Sequence, residues 1–221
     1  MPDALLDNLS NSETGQPSGG FAIATGKVTN NTDLIGEGRI QVKVANRPSF
    51  EPWARLPSVG GSGGRGFMWV PQIDDEVLVA FAENDTSSAY ILGGLWSSMN
   101  TPPLSLPNDT LSKRVIKTGL TEDLGHELEF DDAEQSITIT TSTDQKISMD
   151  PQSIELTNLA GTVSIKLDND EQKISITAVN EIELSSLKIS MTAPTIEMSG
   201  ADVSITATGP CAVKGLPIQL N

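Results

Sequence analysis

A chain of 221 residues with 29 acidic side chains against 14 basic ones and a net charge of −15 excludes several functions at once. Gripping a phosphate backbone requires clustered Lys and Arg whose contacts release counterions, and scattered basic residues in an acidic chain argue against a nucleic-acid partner. A single cysteine, Cys211, gives no intrachain disulfide, and a single histidine, His126, gives no metal site within one chain.

Residues 1–20 end in NSETGQPSGG, a polar Gly, Ser and Pro mixture that buries too little to offset its ordering entropy, and read as a flexible N-terminal arm. This terminus has no basic stretch followed by an apolar run, and no segment reaches the ~20 apolar residues that span a bilayer. The expectation is synthesis in the bacterial cytoplasm without a signal peptide. Residues 21–97 then offer short β-branched or aromatic segments: FAIATGKVT, GRIQVKVA, WARLPSV, GFMWVP, EVLVAF and AYILGGLW. Gly36, Gly38, the run Gly60 to Gly64, and Asn84-Asp85 supply turns between them, and the pattern predicts a five-stranded barrel of the OB type.

Residues 97–112, SSMNTPPLSLPNDTLS, are proline-rich, and the stretch 98–136 is expected to be linker and transition. From 137 to 221 a period-2 signal takes over, in apolar steps such as Ile137/Ile139, Ile147/Met149, Ile165/Leu167, Ile174/Ile176, Leu187/Ile189/Met191, Ile196/Met198 and Val203/Ile205. Three related phrases start at Lys146, Lys173 and Lys188, which marks an internal repeat. Aromatic residues make up 4% of the chain and stop after Phe130, so the later part must close around something narrow. A single-chain β-helix of about ten strands would rise roughly three rungs, ~15 Å, and leave both ends open. Three chains wound together would reach roughly 50 Å around a thin apolar column. The fold expected is therefore all-β, a barrel followed by an intertwined triangular β-helix in a homotrimer, with Ile137, Ile139, Ile147, Met149, Ile165, Ile174, Ile176, Ile189, Ile196 and Ile205 as its core.

The phrases GKVTNN, GEGRIQVKV, Trp53-Ala54-Arg55, GGRGFMWVPQIDDEVLVAF and ILGGLW resemble, in order and spacing, the OB domain of the phage baseplate assembly protein V family, which the valine-glycine repeat spike of type VI secretion shares. Asp74 stands where that family usually has Gly, and Asn84 replaces Gly in the next turn. The resemblance implies a structural central spike on the baseplate axis, driven through the target cell envelope when a sheath contracts, with a hub supplied by another protein. It also implies that the apolar ending, Gly215-Leu216-Pro217-Ile218-Gln219-Leu220-Asn221, docks a small tip protein of the proline-alanine-alanine-arginine repeat type.

Asp131-Asp132 and the run Asp168 to Glu171 have the composition of solvated corners rather than of a calcium loop or an acid–base pair. His126 is expected at a surface or junction, and Cys211 as a small buried apolar group. Trp53, Trp69 and Trp96 could form a stacking platform, but packing in the barrel or against neighbouring copies accounts for them more simply. No catalytic residue, metal or cofactor is expected. The alternatives are a trimeric carbohydrate-binding adhesin or tail-fibre tip, and a β-helical lyase; the first calls for an aromatic-rich head and the second for clustered Arg, Lys, Tyr or His.

Overall fold

The computed structural model describes residues 22–82, 85, 87–104, 107–119 and 124–218. The expected arm, Asn84 and the terminal Gln219, Leu220 and Asn221 lie outside them. The chain divides into two units, Met1–Val179 and Asn180–Asn221.

In the first unit β1 (Ala22–Asn30), β2 (Arg39–Val44), β3 (Trp53–Arg55), β4 (Glu76–Phe81) and β5 (Ala89–Gly94) close into a barrel in the order β1-β2-β3-β5-β4. Alternation sends Ile40, Val42 and Val44 of β2 inward to meet Val28, Ala54, Val77, Val79, Phe81 and Ile91. Register shifts leave Thr29 of β1 and Leu92 of β5 without a cross-strand partner at those points, and such bulges bend β1 and β5 and help strands this short to close. Gly26 is required by close approach: a Cβ there would run into Cγ1 of Val42 and lie 3.1 Å from the Lys43 carbonyl. Asp74 adopts φ of 77°, the left-handed conformation that glycine takes most cheaply. Its N–H donates to the Val28 carbonyl at 2.9 Å and its carboxylate meets Lys27 Nζ at 2.8 Å, which settles the form of that turn.

Two expected strands change. GFMWVP, residues 66–71, is loop: Gly66 takes φ of 136°, only the Phe67 N–H reaches back to the Val59 carbonyl, and Phe67, Met68 and Trp69 are exposed. WARLPSV contributes only Trp53–Arg55, because Pro57 has no N–H to continue a ladder.

The stretch expected as linker and transition holds a short 3-10 turn at Asp109–Leu111 and two strands, β6 (Lys113–Lys117) and β7 (Glu127–Asp131). These begin a seven-stranded antiparallel meander that continues through β8 (Ser136–Thr140), β9 (Lys146–Met149), β10 (Ser153–Thr157), β11 (Ser164–Asp168) and β12 (Lys173–Thr177). Here the structure departs from the alternation of three copies expected from the sequence: each strand pairs with the next strand of the same chain. Its corners explain why. The carboxylates of Asp131, Asp150 and Asp168 each accept two backbone N–H groups two and three residues on, which closes a tight reversal.

In the second unit the described residues, 180–218, form no helix and no strand, and all are exposed.

Candidate functional site

Cross-strand register decides which side chains share a face of the meander. Ile116 lies opposite Leu128, Leu128 opposite Ile139, Ile139 opposite Ile147, Ile147 opposite Leu156, Leu156 opposite Ile165, and Ile165 opposite Ile176. A second column, two residues along each strand, runs Arg114, Phe130, Ile137, Met149, Ile154, Leu167, Ile174. One face of the sheet is thus an apolar stripe two side chains wide and seven strands tall, interrupted by Arg114 alone. At ~4.8 Å per strand the stripe is about 29 Å long.

The stripe is bare in the single chain. Ile139, Ile147, Met149, Ile165 and Ile174, all expected core positions, keep between 37% and 70% of their surface exposed, and Ile137 is half-buried. Of the other expected core positions, Ile176 sits on the stripe, while Ile189, Ile196 and Ile205 fall in the second unit and are also exposed. A soluble particle does not ordinarily leave a contiguous apolar band of this size open to water.

The opposite face is polar and paired. Lys113 Nζ lies 3.1 Å from Glu129 and 3.6 Å from Asp131, Lys117 lies 3.0 Å from Glu127, and Lys166 lies 3.0 Å from Asp168. The Glu129 carboxylate raises the affinity of Lys113 for its proton, and Asp168 does the same for Lys166. Backbone N–H donation from Glu171, then the Lys166 ammonium, holds Asp168 below the ordinary carboxylate range. Burial pushes Asp131 upward, but the Glu134 and Ala133 N–H groups and Lys113 outweigh it, and the net direction is down. The acidic runs are therefore spent on turns and ion pairs. Among the described residues no group of three or more His, Cys, Asp or Glu converges as a metal site.

His126 is exposed and immediately precedes β7, inside the β6–β7 hairpin. Its N–H donates to Thr118 Oγ1 at 2.9 Å, its carbonyl accepts the Thr118 N–H at 2.8 Å, and its Nδ1 accepts the Ser142 N–H at 3.3 Å. Cys211 is exposed in the single chain, in contrast to the buried position expected for it. The tryptophans stand outside the buried barrel core: Trp53 sits under the Arg39 guanidinium, Trp69 stacks on Phe67 with centroids 5.8 Å apart, and Trp96 is exposed. Of the expected docking end, Leu216 is fully exposed and Ile218 about half so. Neither the seven-stranded ladder nor the part of Phe130 and Leu128 in the stripe was anticipated; the alternation in ELEFD was the available signal.

The barrel carries a groove of about 530 Å³ whose lining includes Lys27, Lys43, Asp74 and Glu76. Among the described residues no helix is long and apolar enough to cross a membrane.

Comparison with known proteins agrees with the barrel. Residues 24–96 match the family described as the type VI secretion system/phage-baseplate injector OB domain. An 82-residue stretch is 37% identical to the actin cross-linking toxin VgrG1 of Vibrio cholerae serotype O1, covering 36% of this chain and 7% of that protein. The chain covers only a small part of that much longer relative, and the toxin activity in its name belongs to the relative. Barrel topology and the family match over 24–96 agree: this part of the chain is an OB domain of the type VI secretion system/phage-baseplate injector kind.

Proposed function

We propose that three copies of this chain form the central spike of a contractile injection system or phage-tail baseplate, and that the spike is pushed through the target cell envelope when the sheath contracts. The observation that carries this reading is the bare apolar stripe of β6–β12 following an injector-type barrel. Three such stripes turned toward a common axis bury one another and leave the lysine–carboxylate faces in water. The role in this reading is mechanical, without turnover or cofactor; Lys113, Lys117 and Lys166 pair with carboxylates, and Asp131, Asp150 and Asp168 close turns.

In this reading the barrel side meets a hub protein. The end at Leu216, Pro217 and Ile218, presented three times around the axis, receives a small tip protein; the exposure of Leu216 supports it. Light scattering should return three chain masses for the purified protein. Image averaging of particles carrying an epitope-tagged chain should then place the tag on the tube axis at the baseplate. A stable monomer, or tag density off the axis, would remove the reading.

A further inference from the structure

The two ends of the barrel differ in what they show to water. One end carries the β2–β3 loop, residues 45–52, and the β4–β5 loop, residues 82–88; among their described residues no large apolar side chain is exposed. The other end carries the β1–β2 loop, residues 31–38, and the long β3–β4 loop, residues 56–75. These share an end because Arg39, which opens β2, lies opposite Arg55, which closes β3, and Glu76, which opens β4, lies opposite Lys27 in the last turns of β1. There Leu34 is 94% exposed and Val59 85%, and Ile35, Phe67, Met68 and Ile73 are exposed as well.

Hydrogen bonds fix the backbone that presents these side chains. Asp33 accepts the N–H groups of Ile35, Glu37 and Arg39 at 3.1 Å each, and both of its oxygens take the Arg39 guanidinium, which sets the turn that carries Leu34 and Ile35. In the β3–β4 loop the Ser58 hydroxyl donates to the Phe67 carbonyl, the Phe67 N–H donates to the Val59 carbonyl at 3.2 Å, and Ser62 and Arg65 exchange backbone bonds at 3.0 and 3.1 Å. The result is a narrow ribbon that turns at Ser62–Arg65, followed by the stacked rings of Phe67 and Trp69. Asn31 Nδ2 donates to the Pro71 carbonyl at 3.1 Å and ties the two loops together. Loops set in this way lose little further entropy when something covers them.

Charge at this end is one-sided. Between Leu56 and Ile73 the sequence holds a single charge, Arg65, in a chain of net charge −15. The carboxylates nearby are matched, Asp33 and Glu37 by Arg39 and Asp74 by Lys27. Asp75 accepts the Gln72 N–H at 2.8 Å. At physiological salt, charges more than about 8 Å away are screened, so a surface that meets this end feels Arg65 more than the acidic remainder of the chain. The end projects: none of its exposed apolar side chains lines the barrel's groove. A protein partner would have to offer a cleft cut to several separate projections. A lipid headgroup layer accepts any projecting apolar group, tryptophan favours that depth, and an arginine beside it matches lipid phosphate.

We infer that this end of the barrel is a lipid-binding surface. Loops 31–38 and 56–75 enter the headgroup layer of a bilayer, with Leu34, Ile35, Phe67, Met68 and Trp69 at its apolar edge and Arg65 among the phosphates. The inference goes beyond the spike reading and does not depend on how many copies assemble. In a particle that crosses an envelope, the contact would let the barrel grip the bilayer it meets.

The test uses the full chain and mixed phosphatidylethanolamine–phosphatidylglycerol vesicles. The chain should float with the vesicles in a density gradient, and a Phe67→Ser, Trp69→Ser variant should bind them about tenfold or more weakly. Both rings lie outside the buried core, so the urea midpoint of that variant should stay at the parent value. Arg65→Glu should weaken binding roughly fivefold or more and flatten its salt dependence. In a Trp53→Phe, Trp96→Phe variant, where Trp69 alone emits, lipids brominated in their acyl chains should quench the fluorescence. Absence of flotation, or flotation undiminished in the Phe67→Ser, Trp69→Ser variant, would overturn the inference. So would a Trp69 shielded from an aqueous quencher before lipid is added, since another protein surface would then already cover this end. Three chain masses by light scattering without vesicle binding would refute this inference and leave the spike reading in place.

Discussion

Ile165→Asp places a carboxylate in the middle of the stripe, between Leu156 on one neighbouring strand and Ile176 on the other. In the single chain Ile165 is 41% exposed. Complete burial of such a side chain gains about 1.5–3 kcal/mol, so roughly 1 kcal/mol per copy remains to be gained on association. The substitution forfeits that gain and adds the cost of taking the new acid out of water, which it meets by binding a proton. Holding a carboxyl protonated at pH 7 against an ordinary value near 4 costs about 4 kcal/mol, or ~12 kcal/mol for three copies. This equals the whole stability of a typical domain, about 5–15 kcal/mol. Ile165→Asp should therefore abolish the trimer at pH 7 and recover it in part near pH 5, where the cost falls to about 1.5 kcal/mol per copy. Ile165→Val should cost only about 0.5–1.5 kcal/mol per copy. Ser175→Asp, on the polar face opposite Lys166, should leave assembly within about 0.5 kcal/mol. Light scattering at both pH values, with circular dichroism to follow strand content, reads all three variants. An Ile165→Asp trimer as stable as the parent at pH 7 would show that the stripe faces solvent in the assembly.

In the barrel, Ile40→Ala removes a side chain that is 1% exposed and should lower stability by about 2–5 kcal/mol, read as a shift in the urea midpoint. Gly26→Ala should cost about 1–3 kcal/mol, since its methyl must displace Val42 or the Lys43 carbonyl; an unchanged midpoint would contradict the close approach. The acid limb of stability has a defined sign. The Arg39 guanidinium, donating to Asp33 at 3.2 and 3.3 Å, holds that carboxyl well below the ordinary range, and Asp131 and Asp168 are held low as described. A depressed carboxylate stabilises the fold above its unfolded value near 4 and loses that contribution as pH falls through the folded value. Melting temperature should therefore stay level from pH 7 to about 5 and drop below about 4, with a shallower drop in Asp33→Asn.

The barrel was legible because its signals are local. Alternation in RIQVKV and EVLVAF names the inward residues, and glycine placement names the turns. GFMWVP misled because composition alone does not distinguish an apolar strand from an apolar loop, and Gly66 at φ of 136° breaks the extension that its neighbours favour. The tryptophans are not part of the interior, which a barrel this small fills with Val, Ile and Ala: Trp53 is half-buried, and Trp69 and Trp96 are exposed in the single chain. In the sheet, periodicity marks the apolar positions but carries no information about whether a strand's neighbour belongs to the same chain.

That information resides in the corners, as two copies of the internal repeat show. KISMDPQSIEL from Lys146 and KISMTAPTIEM from Lys188 align residue for residue, with both apolar steps at identical spacing. The first folds as the β9–β10 hairpin, Ile147 opposite Leu156 and Met149 opposite Ile154. The second forms no pair within the chain. In the first corner Asp150 accepts the N–H of Gln152 at 2.8 Å and of Ser153 at 2.7 Å, and its own N–H donates to the Ser153 carbonyl. In the second corner Thr192 stands in place of Asp150, and Pro194 in place of Gln152 has no N–H to give. The same apolar steps are thus free to run on instead of turning back. Replacing Thr192, Ala193 and Pro194 by Asp, Pro and Gln together restores the reversing corner and should divert residues 189–198 into an intrachain hairpin. The full-length triple variant should then dissociate at lower denaturant than the parent, while barrel and meander amides keep their exchange protection. If it assembled as tightly as the parent, corner chemistry would not be what separates the two pairing modes.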